Sequence, residues 1–545
     1  MARPAPGAFL GTKIEMTMPA PLSDADLLTL TVPQLLRIRA RETPVNLALS
    51  VRSIGGWRDR LTYAQLVDRM ERMGRALHAA GIRPDDRIAI FLTNAAGREC
   101  FLTALGALRL GAAVSPINTR ASDEEIAHAL DLLEPALIVS DAQGAERLGR
   151  LRPMSRFMVT GEEGVAAETW PDPEHVGFDA SVSPPEPAGP DVTGCLLFTS
   201  GTTARSKAVV HSHRTMIGAG LSCARALGLM VGDLYQGGWP FFTSSGLNLG
   251  GMSSWVAGAG LVFEEPLDNA GRLRLIATER STFYHGVPSV VHFIVEEYAQ
   301  GGFDVSSLRR VGYGGSAMPA DVVRRIAERW PHVEQVEIFG MTESGPSGTV
   351  LPPEERLNRF GAIGRAMPHC EVLLVDDTLR EVPAGETGEI FIRGPGVARG
   401  YFRNPDATRE AFVGGGIRTG DLGRRDAEGF LHYADRRKDI INRGGLKIAS
   451  VAVEEVLYRH PAIREAAVIA VPHPALGEDV AAFVVAQPGQ TIDTGDLADF
   501  CAGLLADYAR PRHWRVLDQL PKNPMGKVLK RDLRAMFAAR DIAAQ

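Results

Sequence analysis

No two cysteines stand close enough in this sequence to form a CxxC pair; Cys100, Cys195, Cys223, Cys370 and Cys501 are scattered along the chain. Their spacing excludes a disulfide framework and a structural zinc site, and fits a reducing cytoplasm. A basic excess is also missing: 59 Lys and Arg face 65 Asp and Glu, for a net charge of −6. Nothing therefore calls for a nucleic-acid-binding face. The N-terminal stretch "MARPAPGAFLGTKIEMTMPAPL" is too broken by proline, glycine and charge to be a signal-peptide core. The uncharged run from Leu234 to Phe263 is long enough to span a bilayer. It is interrupted by Gly, Ser, Thr, Asn and a Pro, so it reads as buried strands and loops. Internal repeats and low-complexity tracts are absent.

What is present is the composition of an ordinary soluble globular protein, 45% hydrophobic and 23% charged. At 545 residues the chain needs two or more domains. From about residue 30, helical and strand patterns alternate. "LTYAQLVDRMERMGRALHAAG" has apolar residues at helical spacing and stops at Gly81; "RIAIFL" reads as a buried strand. "GRECFLTALGALRLG" reads as a helix, "AAVSPIN" as a strand, "SDEEIAHALDLL" as a helix capped by Ser122 and "ALIVSD" as a strand. This alternation predicts layered α/β architecture with largely parallel sheets. A Pro-, Gly- and acid-rich segment, 162–191, reads as a surface connection. A second α/β stretch runs from about 192 to 350. Shorter strands with Gly-rich turns over 370–435 suggest a small β-rich subdomain, and a small α+β unit closes the chain.

Five short stretches carry the chemistry. "LLFTSGTTARSKAVVHSH" (196–213) places Thr199, Ser200, Thr202 and Thr203 as hydroxyl donors around Gly201, with Lys207 as a cation, between two apolar runs. It is not a P-loop, because Ser206 precedes the lysine, Ala208 follows it and a strand pattern continues. "GYGGSAMP" (312–319) reads as a strand end, a Gly-Gly turn and a helix opening at Pro319 with Asp321 in its first turn. Such a turn lies at the carboxyl end of a strand, where α/β sheets bind ligands. "FGMTE" (339–343) offers an aromatic, a hydroxyl and a carboxylate at the end of an apolar run. "TGD" (419–421) puts Asp421 after a glycine in a turn, and "DRRKDIINRGG" (435–445) follows it. "PKNPMGKVLKRDLR" (521–534) projects Lys527 from a Pro-Gly turn.

Taken together and in this order, the five stretches resemble the adenylate-forming superfamily of acyl-CoA synthetases, luciferase and nonribosomal-peptide adenylation domains. The resemblance covers nearly the whole chain. It implies a large N-terminal domain, 1–435, of layered α/β subdomains plus a small β-rich subdomain. A small mobile α+β C-terminal domain, 436–545, would follow, with the hinge near Lys438. It further implies that Thr199, Ser200, Gly201, Thr202, Thr203 and Lys207 hold the ATP pyrophosphate, and that adenine lies against Gly315, Ser316 and Ala317. Phe339 would stack on adenine, Thr342 contact phosphate and Glu343 hold Mg²⁺, which favours hard oxygen ligands beside phosphates. Asp421 and Arg436 would take the ribose. Gly444, Gly445 and Leu446 would approach coenzyme A after a domain rotation. Lys527 would reach the substrate carboxylate and α-phosphate, stabilising charge in the transition state.

The implied reaction is a two-step ligation. A carboxylic acid and Mg-ATP give acyl-AMP and pyrophosphate, and CoA thiol then gives the thioester and AMP. The partners are small molecules, the carboxylic acid, ATP and CoA, with no nucleic acid, no membrane span and a homodimer as the assembly open to the chain. Rival readings are loading of a carrier-protein pantetheine, a luciferase-type oxygenase and a nucleotide-binding protein without catalysis. Phe242, Thr243, His285, Val287 and Gly314 are the candidate acyl pocket, with Tyr284 beside them. Thr243 stands where the family commonly has a histidine after the Phe. A mostly apolar wall suggests a medium-chain, alicyclic or aromatic acid. Against the family pattern TSGTTGxPKG the phosphate loop departs at Ala204, Ser206 and Ala208. Alanine resists positive φ, so these departures are expected to alter how the loop closes.

Overall fold

A computed structural model of the chain describes residues 22–161, 168–174, 184–199, 206–316, 318–522 and 528–543. Among the described residues the strands form three sheets. One is a seven-stranded sheet, complete by Ser212. Its centre is the parallel set Leu137–Asp141, Arg87–Phe91, Ala113–Pro116 and Thr193–Thr199. Lys207–Ser212 closes one edge, antiparallel to Thr193–Thr199. The helices between these strands start where the sequence predicts. Ser122 caps Asp123–Leu133 through a reciprocal bond with Glu125, and Gly81, at φ +86°, follows the end of Tyr63–Ala79.

The second sheet has fourteen strands. Its parallel part runs through Leu47–Arg52, Gly260–Phe263, Leu234–Gly237, Phe283–Gly286, Arg310–Gly314 and Glu334–Gly340. It then turns antiparallel through Gly348–Leu351 and Ala362–Ala366. The expected β-rich subdomain does not form a sheet of its own. Its strands Leu431–Arg436, Gly416–Arg425, Thr387–Arg393 and Glu371–Val375 extend the same sheet through the pairing of Ala362 with His432. The run 234–263 also departs from the expectation of strands and loops. Between its two strands, Ser245–Met252 winds as a π-helix that continues as the α-helix Ser253–Ala257. Small residues allow this segment to be buried against the helix His213–Leu227, where a methyl on Gly220 would come within 2.8 Å of the Met252 backbone.

The helix Gly97–Leu110 is buried along its entire length, between a strand of each large sheet. Its charges are internally met: Arg98 pairs with Asp59 at 2.5 Å and Asp172 at 2.8 Å, and Glu99 accepts from the Ile54 amide. Helix Tyr63–Ala79 crosses it at a point of close approach. A methyl on Gly106 would lie 2.4 Å from Met73 Cγ and 3.0 Å from the Met73 carbonyl carbon.

The change of sheet near the C-terminus falls between Arg436 and Ile441. The third sheet holds Ile441–Arg443, Leu446–Ile448, Ile463–His473, Gly477–Ala486 and His513–Val516, with the helices Ser450–Leu457, Thr494–Leu504 and Lys530–Ala543 around it. No described helix is long and apolar enough to cross a membrane.

Gly106→Ala is expected to lower stability by about 1–3 kcal/mol through overpacking, outweighing the roughly 1 kcal/mol by which alanine favours a helix. The midpoint of thermal or urea unfolding checks this; an unchanged or raised midpoint would show that the two helices separate without cost.

Candidate active site

Strand Lys207–Ser212 organises the site because both its edges are hydrogen-bonded. One edge pairs with Thr193–Thr199, setting Lys207 opposite Thr199 and Ala208 opposite Phe198. Along the other runs the segment 399–402. The Val210 amide donates to Gly400 O at 2.9 Å, the Arg399 amide to Val210 O at 2.9 Å and the Phe402 amide to Ala208 O at 2.8 Å. Gly400 is required here: its φ is +138°, and a methyl would lie 2.5 Å from Thr408 Cγ2.

This stitching brings Tyr401 between the two charges that the motifs nominate. The Tyr401 hydroxyl donates to Glu343 Oε1 at 2.9 Å, and Lys207 Nζ lies over the Tyr401 ring, 4.8 Å from its centroid. A hydrogen bond to a charged group contributes about 1.5–3 kcal/mol and a cation over an aromatic face about 0.5–2 kcal/mol. Glu343 is only 6% exposed. Burial pushes its carboxyl pKa up, opposed by its own backbone, by Tyr401 and by the positive charges of Arg436 and Lys207. Tyr401 was not singled out in the sequence; the pattern "GYF" after a Gly-rich stretch carries no charge or nucleophile to attract notice.

His211 is a second group missed there. It sits on the same strand and reaches the carbonyl of Thr342 with Nε2 at 2.8 Å, so Nε2 carries the proton and Nδ1 accepts from Thr215 Oγ1 at 3.1 Å. Burial holds its pKa down at about 4, so it is neutral near pH 7. The bond fixes the short turn Thr342–Ser344, which bears Thr342 and Glu343. Gly345 ends that turn at φ +63°, where a methyl would lie 2.5 Å from Ala219 Cβ.

Asp421 and Arg436 are cross-strand partners, with Arg436 Nε 3.1 Å from Asp421 Oδ1. Asp421 lies in a bulge within the strand Gly416–Arg425, not in a turn as its preceding glycine suggested. Gly420, at φ +72°, makes the bulge, and buried Glu389 holds it by accepting the Gly420 amide at 3.0 Å. Phe339, at the end of Glu334–Gly340, stands 6.4 Å from Tyr433, ring centre to ring centre. The next strand, Arg310–Gly314, ends at buried Gly314, followed by Gly315 (φ +85°, facing open space) and exposed Ser316. The aromatic ring and the open glycine turn thus lie at the carboxyl ends of two neighbouring strands, with the Asp421–Arg436 pair on two strands further along the same sheet.

The acyl-pocket candidates separate. Phe242 and Thr243 are half-buried, and Thr243 Oγ1 is committed to the Pro240 carbonyl at 2.7 Å, closing a turn. Val287 is the N-terminal cap of Pro288–Tyr298. His285 and Tyr284 are enclosed, at 0% and 1% exposure. His285 Nδ1 lies 2.7 Å from the Tyr235 hydroxyl, which also accepts from Trp239 Nε1 at 3.3 Å. His285 therefore belongs to an aromatic cluster with Tyr235, Trp239 and Phe283 rather than to an open wall.

At the change of sheet, Lys438 is exposed between two buried aspartates, Asp435 and Asp439. Gly444 and Gly445 both have positive φ, +58° and +90°, forming the two-residue hairpin turn between Ile441–Arg443 and Leu446–Ile448. Leu446 is 48% exposed beside them. Ser200, Gly201, Thr202, Thr203, Ala204, Ala317 and Lys527 lie outside the described residues. Of the three loop departures, Ala208 is settled: it occupies a regular strand position with an extended backbone, buried and paired, so no glycine-only conformation is needed there. Ser206 presents its carbonyl to His128 Nε2 at 3.1 Å. No cluster of three His, Cys, Asp or Glu capable of caging a metal occurs among the described residues. A single buried carboxylate at a phosphate site instead suits Mg²⁺, which keeps waters and phosphate oxygens as its other ligands.

Comparison with known proteins identifies the family. The AMP-binding enzyme profile matches residues 36–402 and the AMP-binding enzyme C-terminal domain profile matches 452–527. The chain is 33% identical over 521 residues to a 7a-methyl-1,5-dioxo-octahydroindenyl-propanoyl:CoA ligase of Mycobacterium tuberculosis, covering 93% of this chain and 99% of that one. It is 32% identical to a feruloyl-CoA synthase of an Amycolatopsis species, covering 88% and 94%. Among solved structures, the O-succinylbenzoate coenzyme A synthetase of Bacillus subtilis in complex with AMP superposes with a TM-score of 0.81 at 27% identity, over 93% of this chain and 98% of the other.

Three enclosed histidines give this core a pH dependence. Burial holds His211 and His213 down at about 4 and His285 at about 3. As pH falls, the unfolded chain takes up these protons first, near the ordinary value of about 6.5. Their contribution is therefore complete above pH ~6.5 and lost as pH drops towards 4, at up to about 1.4 kcal/mol per pH unit for each histidine. His213 Nδ1 accepts from the Val32 amide at 3.1 Å, and a Gln could keep that acceptor. His213→Gln should reduce the proton uptake on unfolding by about one between pH 6.5 and 4. Urea titrations across that range measure it, and an unaltered slope would refute the assignment.

Proposed function

We infer the reaction from one premise: this chain belongs to the AMP-binding enzyme family. It is an AMP-forming acid–thiol ligase that joins a carboxylic acid to coenzyme A at the expense of ATP. The observation that carries the assignment of roles is the convergence of Lys207, Glu343 and Tyr401 beside the Asp421–Arg436 pair.

In the first step the substrate carboxylate attacks the α-phosphorus of ATP in line, and pyrophosphate leaves. Lys207, Thr199 and the hydroxyls of Ser200, Thr202 and Thr203 take the departing charge, with Thr342 on the same phosphates. Glu343 and those phosphates would hold Mg²⁺, which neutralises phosphate charge when bound. Asp421 accepts from the ribose hydroxyls with Arg436 beside it, and adenine lies between Phe339 and the turn Gly315–Ser316–Ala317. Lys527 bridges the reacting oxygens, so positioning and charge neutralisation account for most of the acceleration. In the second step the small domain, 436–545, turns about Lys438 and withdraws Lys527. The hairpin Gly444–Gly445–Leu446 then flanks the route by which the CoA thiol attacks the acyl-AMP carbonyl, releasing AMP.

The acid itself is proposed from chemistry. The relatives' names cover a feruloyl, a bicyclic alkanoyl and a long-chain fatty acyl group. Here the core beside Phe242 is aromatic, with Phe241, Phe101 and Phe263 edge to face. A medium-chain, alicyclic or aromatic acid fits such surroundings. The five cysteines are all free thiols, consistent with a cytoplasmic enzyme.

A panel of carboxylic acids scored by pyrophosphate release and ranked by kcat/KM identifies the acyl group; highest turnover with short polar acids would overturn the substrate class. Lys527→Ala is expected to abolish acyl-AMP formation while still converting supplied acyl-AMP and CoA to thioester. Equal loss of both half-reactions would remove Lys527 from its role in the first step alone.

A further inference from the structure

The two groups assigned to the ATP phosphates and their metal carry opposite charges and stand on the same residue. Glu343 meets the Tyr401 hydroxyl at 2.9 Å, and Lys207 lies 4.8 Å from the centre of the Tyr401 ring. They nonetheless do not pair directly among the described residues. Were Tyr401 absent, nothing on this line would stop the ammonium from closing on the carboxylate. A partly buried ion pair of that kind is costly to separate once formed, and ATP with its metal must separate it to bind.

Tyr401 is held in a manner suited to keeping such charges apart. Its backbone is bridged to Val209, on the strand that bears Lys207, and Phe402 is tied to Ala208 at 2.8 Å. Its amide donates to Thr408 Oγ1 at 2.9 Å, and its ring packs edge-on against Phe412, 5.3 Å between centres. These contacts hold the backbone and the ring without drawing on either charge. The face is left for the ammonium and the hydroxyl for the carboxylate.

Resting on the nucleotide site proposed above, we propose that Tyr401 is a positioning residue that keeps Lys207 and Glu343 separated and preset for ATP and its metal. On binding, the ammonium moves from the ring face to the phosphates. The carboxylate exchanges part of its contact with the hydroxyl for the metal. Neither group first has to leave an ion pair with the other.

The test is calorimetric binding of ATP with Mg²⁺ to the full-length enzyme, without carboxylic acid, so that no turnover is read. Tyr401→Phe keeps the ring and removes only the hydroxyl; Mg-ATP affinity should fall on the order of tenfold, the size of one charge-assisted hydrogen bond. In a Glu343→Gln background the same change should cost less than about twofold, because no carboxylate charge remains to be restrained. Tyr401→Leu, which also removes the ring, should weaken binding further than Tyr401→Phe. In steady-state assays of Tyr401→Phe, KM for Mg-ATP should rise more than kcat falls. An equal loss in both backgrounds would make Tyr401 a structural residue only, and unchanged affinity in Tyr401→Phe would overturn the proposal outright. If Lys207→Ala and Glu343→Gln themselves bind Mg-ATP as the parent enzyme does, the nucleotide-site assignment fails instead. Should the leucine variant not fold, the phenylalanine pair alone decides.

Discussion

The double pairing of strand Lys207–Ser212 is the constraint on which the site depends. As an edge strand it would present a row of free amides and carbonyls, a liability in any sheet. The segment 399–402 covers that edge, delivering Tyr401 to Lys207 from a part of the chain some two hundred residues away. The same strand projects His211 onto the turn that ends Glu334–Gly340 in the other large sheet. One strand thereby joins a sheet edge, a returning loop and a strand end from three separate regions. Displacing it would move Lys207, Tyr401 and the Thr342–Glu343 turn together.

Electrostatics then follows from burial. Glu343 is nearly enclosed, and the rise that burial imposes on its pKa is opposed by its neighbours. Tyr401, Lys207 and Arg436 supply those neighbours, while Asp421 and Glu389 hold the cationic side of the site in turn. Glu389 accepts from Arg418 at 2.6 Å and from the Gly420 amide, so the bulge that presents Asp421 is anchored by a charge of its own. Each ionised group near the nucleotide site is thus held by another that the same fold brings there.

Candidate residues for side-chain chemistry were legible in the sequence as candidates, because Lys, Glu, Asp and hydroxyl clusters at strand ends are rare enough to be noticed. Most helices and strands were legible for the related reason that their apolar periods and caps are local, as with Ser122 and Gly81. What was not legible depends on pairing across long separations. Nothing near "GYF" says that Tyr401 will lie between Lys207 and Glu343, and nothing near "AVVHSH" says that His211 will bond a carbonyl 131 residues away. The fusion of the 370–435 strands with the large sheet rests on a few pairings such as Ala362 with His432. The π-helix at Ser245–Met252 was missed because its glycines and serines suit a loop equally well, and only burial against His213–Leu227 selects the helix. His285, offered as a candidate for the pocket wall, shows the converse case. A polar residue at a strand end suggests a ligand, yet the aromatic cluster around it encloses it fully.

A chain of contacts crosses the junction near Lys438, the pivot proposed above for the small domain. Asp435 is 1% exposed and its Oδ2 accepts from the amide of Ser450 at 2.5 Å and from its hydroxyl at 2.7 Å. Ser450 Oγ in turn accepts from Lys530 Nζ at 2.6 Å, and Lys530 pairs with Glu454 at 2.7 Å. Asp435 precedes the pivot whereas Ser450, Glu454 and Lys530 follow it, so this chain of contacts crosses the point of rotation. The neighbouring pair, Asp439 with Arg534 at 2.7 Å, lies wholly beyond the pivot and would travel intact. A turn about Lys438 must therefore separate Asp435 from Ser450, and the buried carboxylate then needs new donors or water. Under the mechanism proposed above, that requirement opposes the rotation. Lys530 stands three residues after Lys527 in the sequence, so this contact and the lysine proposed for the first step belong to one short stretch of chain.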